Sequence, residues 1–172
     1  YAMKENGMDS CLKHFPGYGG TADTHTGSAV DGRGAQSFRQ IAENSDGKKY
    51  GGDFIPFKAG IDAGADCVLV AHNIVNGLDS ENPASLSPAV HDILRGELGF
   101  DGVIMTDDIA MGAVAEIEDV YIKAINAGND LLITTDYETA YEQILSAVRD
   151  GRISEKTLDS AVGRILKLKG LL

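Results

Sequence analysis

A three-part unit that recurs three times along the chain restricts its fold more than any other feature of the sequence. Each copy is a helical stretch that ends at a glycine, a short turn that contains an aspartate, and an uninterrupted apolar run. The glycines occupy the position where a helix end favours a left-handed residue. The apolar runs do not alternate with polar residues, which is typical of parallel strands buried on both faces. The pattern predicts an α/β fold with a parallel sheet.

The predicted elements follow directly from these units. The three helices are expected at 57–64, 87–99 and about 114–128, and the strands that follow them at 67–71, 103–105 and 131–134. A further strand is predicted at 11–15, and two closing helices at about 137–150 and 154–169. Ser87 is the expected N-cap of the middle helix, with Pro88 at its first position. Four parallel strands suit either an open doubly wound sheet or half of a (β/α)8 barrel, and topology alone leaves both open.

Composition and charge exclude several classes of protein. A chain of 172 residues that is 43% hydrophobic suits one folded unit. Its 26 acidic and 15 basic residues give a net charge of -11, which predicts neither a nucleic-acid nor a membrane partner. We find no apolar run of about 18 residues and no signal-peptide region, so the chain is expected to be soluble, with its compartment undecided. Cys11 and Cys67 lie in apolar runs and predict two buried thiols and no disulfide scaffold.

Residues of catalytic type follow two of the predicted strands. Lys13 and His14 close the first strand, and the Gly-rich loop after it carries Asp23 and His25. The third strand of the sheet ends in Asp107, with a second aspartate next to it. Because the carboxyl ends of parallel strands meet at one edge of a sheet, these residues predict an active site shared by two strand ends.

Other interpretations of these residues remain open at this point. Asp107 and Asp108 also suit the N-cap of a following helix. A phosphate-binding α/β barrel or flavodoxin-like domain is disfavoured, because the glycines after Pro16 open a long loop and not a strand-to-helix phosphate turn. The four histidines have no ligand-like spacing with cysteines or carboxylates, so no metal site is predicted.

Several motifs in a fixed order resemble a known family. They are K-H-F-P-G at 13–17, D-T-H at 23–25, P-F-K-A-G-I-D-A-G-A-D at 56–66, L-R at 94–95 and G-F-D-G-V-I-M-T-D-D at 99–108. Together they resemble glycoside hydrolase family 3, in its bacterial β-N-acetylglucosaminidase branch. The resemblance covers about 11–169, with a poor stretch at about 26–53. It implies a TIM-type catalytic barrel of which this chain holds the carboxyl-terminal half, from about the fifth strand onward.

The resemblance also implies roles for individual residues. Asp107 matches the nucleophile of the family, and His25 matches the histidine acid/base that distinguishes this branch. Two residues before it, Asp23 is placed to accept a hydrogen bond from one ring nitrogen, which fixes the tautomer and raises the basicity of the imidazole. Lys13 and His14 resemble the sugar-binding pair of the fifth strand.

Two more residues fall on the family pattern at the edge of the expected pocket. His72 closes the strand at 67–71 and is expected to face the pocket, with a packing role as the alternative. For Met111 the alternatives are a place in the sugar site and a place in the core.

The sequence also departs from the family pattern in three places. Tyr18 stands where the family usually has histidine, and Gly20 where it often has a small polar or acidic residue. The segment at 27–52 is longer than the usual link. An acidic residue and an arginine that the first half of the barrel normally contributes to the sugar site cannot be located in this chain.

The predicted function is that of a retaining exo-β-N-acetylglucosaminidase acting on cell-wall or chitin-derived glycosides, without a cofactor. Two alternatives remain open: a phosphorylase of the same family, and a catalytically incomplete fragment that acts only as an assembly module. Half a barrel exposes two sheet edges, so we expect the chain to form a homo-oligomer in which copies cover each other.

Overall fold

Strands and helices alternate along the chain. The computed structural model describes residues 2–18, 23–43, 45, 47 and 49–172. In these residues the strands are β1 Cys11–Phe15, β2 Val30–Asp31, β3 Ile41–Glu43, β4 Lys49–Gly51, β5 Cys67–Val70, β6 Ile74–Val75, β7 Asp79–Pro83, β8 Val103–Asp108 and β9 Leu131–Ile133. The α-helices are α1 Ala2–Glu5, α2 Gln36–Arg39, α3 Phe54–Asp62, α4 Pro88–Asp92, α5 Val120–Ala127, α6 Tyr137–Arg149 and α7 Glu155–Leu168. A 3₁₀ turn (Ala84–Leu86) precedes α4, and a π-helical segment (Ile93–Glu97) follows it.

The main sheet has the order β1-β5-β8-β9, and all of its strands are parallel. These are the four strands that the apolar runs predict. Every residue of the central strand β5 is buried, as expected where helices cover both faces. Parallel pairing of β1, β5, β8 and β9 brings their carboxyl ends to one edge, which is where the candidate site lies.

Glycines end the helices of the three repeated units as the sequence predicts. Gly64, Gly99 and Gly128 all have positive φ, with the last at 117°. Ser87 caps α4 by accepting a hydrogen bond from the backbone N–H of Val90, with proline next to it at the first helical position. The middle predicted helix is therefore confirmed, although its second half is π-helical.

Two predicted helix starts are wrong. Helix α3 begins at Phe54 and not at 57. Pro56 does not prevent this earlier start, because it lies in the first turn, where its missing N–H is not needed. Helix α5 begins at Val120 and not at 114. The residues between β8 and α5 form turns, because the N–H groups of Gly112 and Ala113 donate to carbonyls of another loop and not within a helix.

The segment at 27–52 contains short elements that the sequence pattern did not predict. It forms β2, α2 and the antiparallel pair β3-β4, and β2 joins β6 and β7 in a second sheet. Arg33 connects this segment to the start of α3, since it donates to Asp31 and to Asp53 at 2.7–3.0 Å. The same guanidinium lies 4.5 Å from the centre of the Phe38 ring.

Phe15 at the end of β1 is the centre of the aromatic core. It is fully buried, stacks on Phe54 and meets Phe57 edge-on, with ring centroids 5.4 and 5.1 Å apart. Cys67 is buried as predicted, but Cys11 is exposed, and the prediction for Cys11 is wrong. The reason is that Cys11 begins an edge strand, which has β5 on one side only among the described residues. Within those residues, no helix combines the length and the apolar character needed to cross a bilayer.

Candidate active site

Asp107 lies near the carboxyl end of β8, on a strand held between β5 and β9. Its Oδ1 accepts a hydrogen bond from the backbone N–H of Asp108 at 2.9 Å. Its Oδ2 lies 3.8 Å from Nε2 of His14, and 22% of the side chain is exposed. One carboxylate oxygen is therefore engaged with the backbone, while the other faces the open end of the sheet.

His14 presents its imidazole to that second oxygen from the end of β1. Burial lowers the pKa of the imidazole most strongly; Asp107 opposes this shift, and the charges of Lys13 and His25 add to it. His14 is therefore neutral near pH 7, with one ring nitrogen as a donor and one as an acceptor. Lys13 is exposed beside it. This arrangement can bind hydroxyl groups without removing the negative charge of Asp107.

Asp23 and His25 form a hydrogen-bonded pair in the loop after β1. The His25 ring Nδ1 lies 2.6 Å from Oδ1 of Asp23, and the same oxygen accepts the backbone N–H of His25 at 3.0 Å. These two bonds, the backbone one first, lower the pKa of the Asp23 carboxyl. Since an ionised carboxylate only accepts, Nδ1 carries a proton and Nε2 of His25 faces outward. The His25 and Asp23 side chains are 74% and 63% exposed.

Backbone hydrogen bonds hold this pair beside the residues that follow Asp107. The carbonyl of His25 accepts the N–H of Gly112, and the carbonyl of Thr24 accepts the N–H of Ala113, both at 3.2 Å. Thr24 is fully buried between the two catalytic-type side chains, and its hydroxyl is hydrogen-bonded to that of Tyr18. The structure therefore brings the 23–25 loop to the carboxyl end of β8, as the two-strand-end prediction requires.

Sequence reasoning missed the residues that anchor this loop. Tyr18 departs from the family pattern, and its hydroxyl also accepts a hydrogen bond from the backbone N–H of Thr24 at 3.3 Å. Its ring lies 5.4 Å from that of His14, tilted by 53°. A threonine between the aspartate and the histidine was the available signal, because a buried hydroxyl in a loop needs a partner.

His72 lies beneath the site and not at its surface. The side chain is 1% exposed, with Nδ1 2.7 Å from the Ser85 hydroxyl and Nε2 3.0 Å from the Asp108 carbonyl. Burial, the dominant influence, lowers the pKa of His72. Met111 is also buried, at 7% exposure, and its N–H donates to the same Asp108 carbonyl at 2.9 Å. Of the predicted site residues, these two contact the backbone after Asp107 and not the open side of the site.

A cavity of about 550 Å³ opens next to these residues, at the carboxyl ends of β8 and β9. Its lining includes Ile109, Tyr121, Thr134 and Asp136. Asp107 and His25 do not line it. Within the described part of the chain, no group of three or more His, Cys, Asp or Glu side chains is arranged to hold a metal ion.

Comparison with known proteins identifies the family. Residues 1–168 match the sequence model described as the glycosyl hydrolase family 3 N terminal domain. The chain belongs to glycoside hydrolase family 3. The resemblance of its motifs to this family is thereby confirmed.

Curated relatives of this family 3 chain carry the name β-hexosaminidase. The protein from Stenotrophomonas maltophilia strain K279a is 38% identical over 167 residues, which are 94% of this chain and 46% of the relative. The protein from Xylella fastidiosa strain M23 is 36% identical over 175 residues, 99% of this chain and 49% of the relative. The chain thus spans about half the length of the curated relatives it matches.

A solved structure shows the same fold. The family 3 β-N-acetylglucosaminidase from Paenibacillus sp. str. FPU-7 superposes with a TM-score of 0.84 at 33% identity, covering 98% of this chain and 32% of that one. The α/β prediction is confirmed, and family membership decides between the two topologies. The four parallel strands with their helices correspond to part of a TIM-type barrel domain and not to an open doubly wound sheet.

Proposed function

We propose that this chain carries the nucleophile and the acid/base of a retaining β-N-acetylglucosaminidase, Asp107 and His25. The observation that carries the proposal is that a strand-end carboxylate, with its second oxygen toward His14 and not on the backbone, lies at the same edge as a histidine paired with an aspartate. Retaining glycosidases need those two functions, one to attack the sugar and one to transfer protons. The names of the family 3 relatives support N-acetylglucosaminides as the substrate class.

The first half of the reaction uses the outward-facing groups of both residues. Oδ2 of Asp107 attacks the anomeric carbon while the glycosidic C–O bond breaks, and Nε2–H of His25 donates its proton to the departing oxygen. The proton on Nδ1 stays in its hydrogen bond to Asp23. By accepting the Nδ1 proton, the Asp23 carboxylate fixes the orientation of the ring and leaves Nε2 as the nitrogen that exchanges protons with the substrate.

The second half returns the site to its starting state. Neutral Nε2 of His25 takes a proton from water, the water oxygen bonds to the anomeric carbon, and the Asp107–sugar ester bond breaks. The product keeps the β configuration, because the carbon is inverted twice. Neutral His14, 3.8 Å from Asp107, and Lys13, its exposed neighbour on β1, would hydrogen-bond sugar hydroxyls. We extend the proposal to exo-acting cleavage of cell-wall or chitin-derived fragments.

Release of para-nitrophenol from its β-N-acetylglucosaminide by the chain tests the nucleophile. Asp107→Asn keeps the size of the side chain and removes its nucleophilicity, so activity should fall to background. Asp159→Asn on the exposed side of α7 removes the same charge and serves as the matched control. Equal activity of wild type and Asp107→Asn would exclude Asp107 as the nucleophile.

The acid/base is tested by the choice of leaving group. His25→Phe should reduce kcat/KM, which reports the glycosylation step, by about 10²- to 10⁴-fold for a sugar leaving group and much less for para-nitrophenol, because nitrophenolate departs without a proton. Equal losses for the two leaving groups would contradict an acid role. The same assay with added phosphate separates hydrolysis from phosphorolysis, since only the latter yields a sugar phosphate.

One observation favours a second candidate, an assembly module without activity of its own. The His25 and Asp23 side chains are 74% and 63% exposed. Activity that rises more steeply than linearly with protein concentration would indicate that association completes the site. Wild-type activity no higher than that of Asp107→Asn at every concentration would favour the module without activity.

A further inference from the structure

Behind Asp107 lies a buried chain of hydrogen bonds that the reaction itself does not use. The Ser85 hydroxyl lies 2.7 Å from Nδ1 of His72, and Nε2 of His72 lies 3.0 Å from the carbonyl oxygen of Asp108. Ser85 is fully buried and His72 is 1% exposed. Solvent therefore cannot replace either contact, and each polar atom depends on its protein partner.

The partners determine the tautomer of the imidazole. A backbone carbonyl can only accept, so Nε2 of His72 must carry the proton and donate it to Asp108. Nδ1 is then the acceptor, and the Ser85 hydroxyl donates to it. Burial lowers the pKa of His72, which agrees with a neutral ring at neutral pH. The Asp108 carbonyl thus fixes the tautomer, and the Ser85 hydroxyl, which can donate or accept, satisfies the remaining nitrogen and holds the ring in place.

Hydrogen bonds of Asp108 connect this contact to Asp107. Its carbonyl also accepts the N–H of Met111 at 2.9 Å, and its side chain accepts the N–H of Ala110 at 2.9 Å. The N–H of Asp108 in turn donates to Oδ1 of Asp107 at 2.9 Å. The N–H of residue 108 therefore helps to orient the Asp107 carboxylate, with one oxygen on the backbone and the other toward His14.

We propose that His72 and Ser85 are positioning residues that hold the Asp108 backbone so that Oδ2 of Asp107 points at the sugar site. This inference rests on the proposed function, in which Asp107 is the nucleophile. It replaces the expectation that His72 faces the substrate, since a ring that is 1% exposed and has protein partners at both nitrogens has no free atom for a sugar. It gives Ser85, which no motif singled out, a defined part in the site.

Kinetics of four variants test the proposal on the full chain. Ser85→Ala and His72→Leu remove the two hydrogen bonds. Each should reduce kcat about tenfold or more, because the nucleophile is misaligned, while KM changes by less than about twofold, because substrate binding is unaffected. His72→Gln places an amide N–H near the position of Nε2 and should recover most of the lost rate. Ser87→Ala is the matched control, because it removes another fully buried serine hydroxyl, the cap of α4.

Each kinetic outcome decides for or against positioning. Turnover of Ser85→Ala equal to that of Ser87→Ala, per folded molecule measured by circular dichroism, would overturn the proposal. So would His72→Gln losing as much rate as His72→Leu, since packing without a directed donor would then explain both.

A magnetic resonance measurement keeps the inference separate from the proposed function. If wild type shows no hydrolysis above Asp107→Asn, the proposed function fails, and the Asp108 amide proton then decides about positioning. Protection of that amide from exchange should be lost in Ser85→Ala and kept in Ser87→Ala. The Nε2–H tautomer of His72 should be visible in wild type from the ¹⁵N shifts of its ring. An Asp108 amide that is equally protected in all variants would overturn the proposal.

Discussion

The carboxylate of Asp130 pairs with two arginines at the end of the sheet opposite the candidate site, and its removal should lower the free energy of unfolding. Oδ2 accepts from Arg95 at 2.7 Å and from the N–H of Ile104 at 2.8 Å, while Oδ1 accepts from Arg164 at 3.2 Å. The Asp130 side chain is only 3% exposed. Burial raises the pKa of Asp130 and lowers that of Arg95, so both groups bear a desolvation cost, which their pairing and the other hydrogen bonds of the cluster offset.

The substitution Asp130→Asn leaves the guanidinium of Arg95 without its counter-charge. Breaking a buried pair costs about 3–5 kcal/mol, and the 23% exposure of Arg95 places the expected loss at about 3 kcal/mol. With a urea dependence of about 2 kcal/mol per molar, the unfolding midpoint should fall by about 1.5 M. The measurement is urea unfolding followed by circular dichroism at neutral pH.

Two further variants make the reasoning refutable. Asp150→Asn removes an exposed carboxylate that also pairs with an arginine, Arg152, and should move the midpoint little because water screens that pair. The double variant Asp130→Leu with Arg95→Met removes the unpaired charge and should recover part of the loss, since Ile104 N–H and Arg164 still lose their acceptor. If Asp130→Asn shifts the midpoint no more than Asp150→Asn, the buried cluster does not stabilise the sheet as argued.

Three other expectations follow from burial and pairing. Burial lowers the pKa of His72 and His91 in the folded chain, so below about pH 6.5 the unfolded chain binds more protons than the folded one. The free energy of unfolding should then fall, as the pH falls, by up to about 1.4 kcal/mol per pH unit for each histidine. Urea midpoints that stay constant down to about pH 5 would contradict this. Cys11 should react with iodoacetamide in the native chain and Cys67 only in denaturant, as read by mass spectrometry, and equal labelling would contradict the observed burial. Among the described residues β1 and β9 are the outer strands of the main sheet, so light scattering of this chain should find a dimer or larger oligomer, and a monomer at working concentration would exclude self-association.

The sequence predicts the main sheet well because its signal is local. An uninterrupted apolar run such as that of β5 has few alternatives to a strand buried on both faces. The glycines that end its helices are equally local signals, since a positive φ is costly for any other residue. Parallel pairing of β1, β5 and β8 accounts for the proximity of His14 and Asp107, whereas the 23–25 loop is placed by hydrogen bonds from Gly112 and Ala113.

What the sequence does not predict depends on distant contacts. The turn segment between β8 and α5 has a helical pattern, but its N–H groups at Gly112 and Ala113 donate to the 23–25 loop. The exposure of Cys11 depends on which strand covers β1, which its apolar neighbours do not specify. For His72, a strand end is compatible with facing a pocket or with burial, and the partner that decides, Ser85, lies 13 residues away.

The backbone of Gly112 lies so close to the loop of His25 that a side chain at this position would crowd the loop. A methyl group at this position would lie 3.1 Å from the His25 carbonyl oxygen and 3.2 Å from the carbonyl carbon of Thr26, so the loop would have to yield by a few tenths of an ångström. The size of residue 112 therefore affects how closely the His25 loop packs against the turn after Asp107, which under the proposed function bears on the spacing between proton donor and nucleophile. Natural selection on turnover would act on a residue that has no functional group, and variation there offers a way to tune the rate without changing any reacting atom.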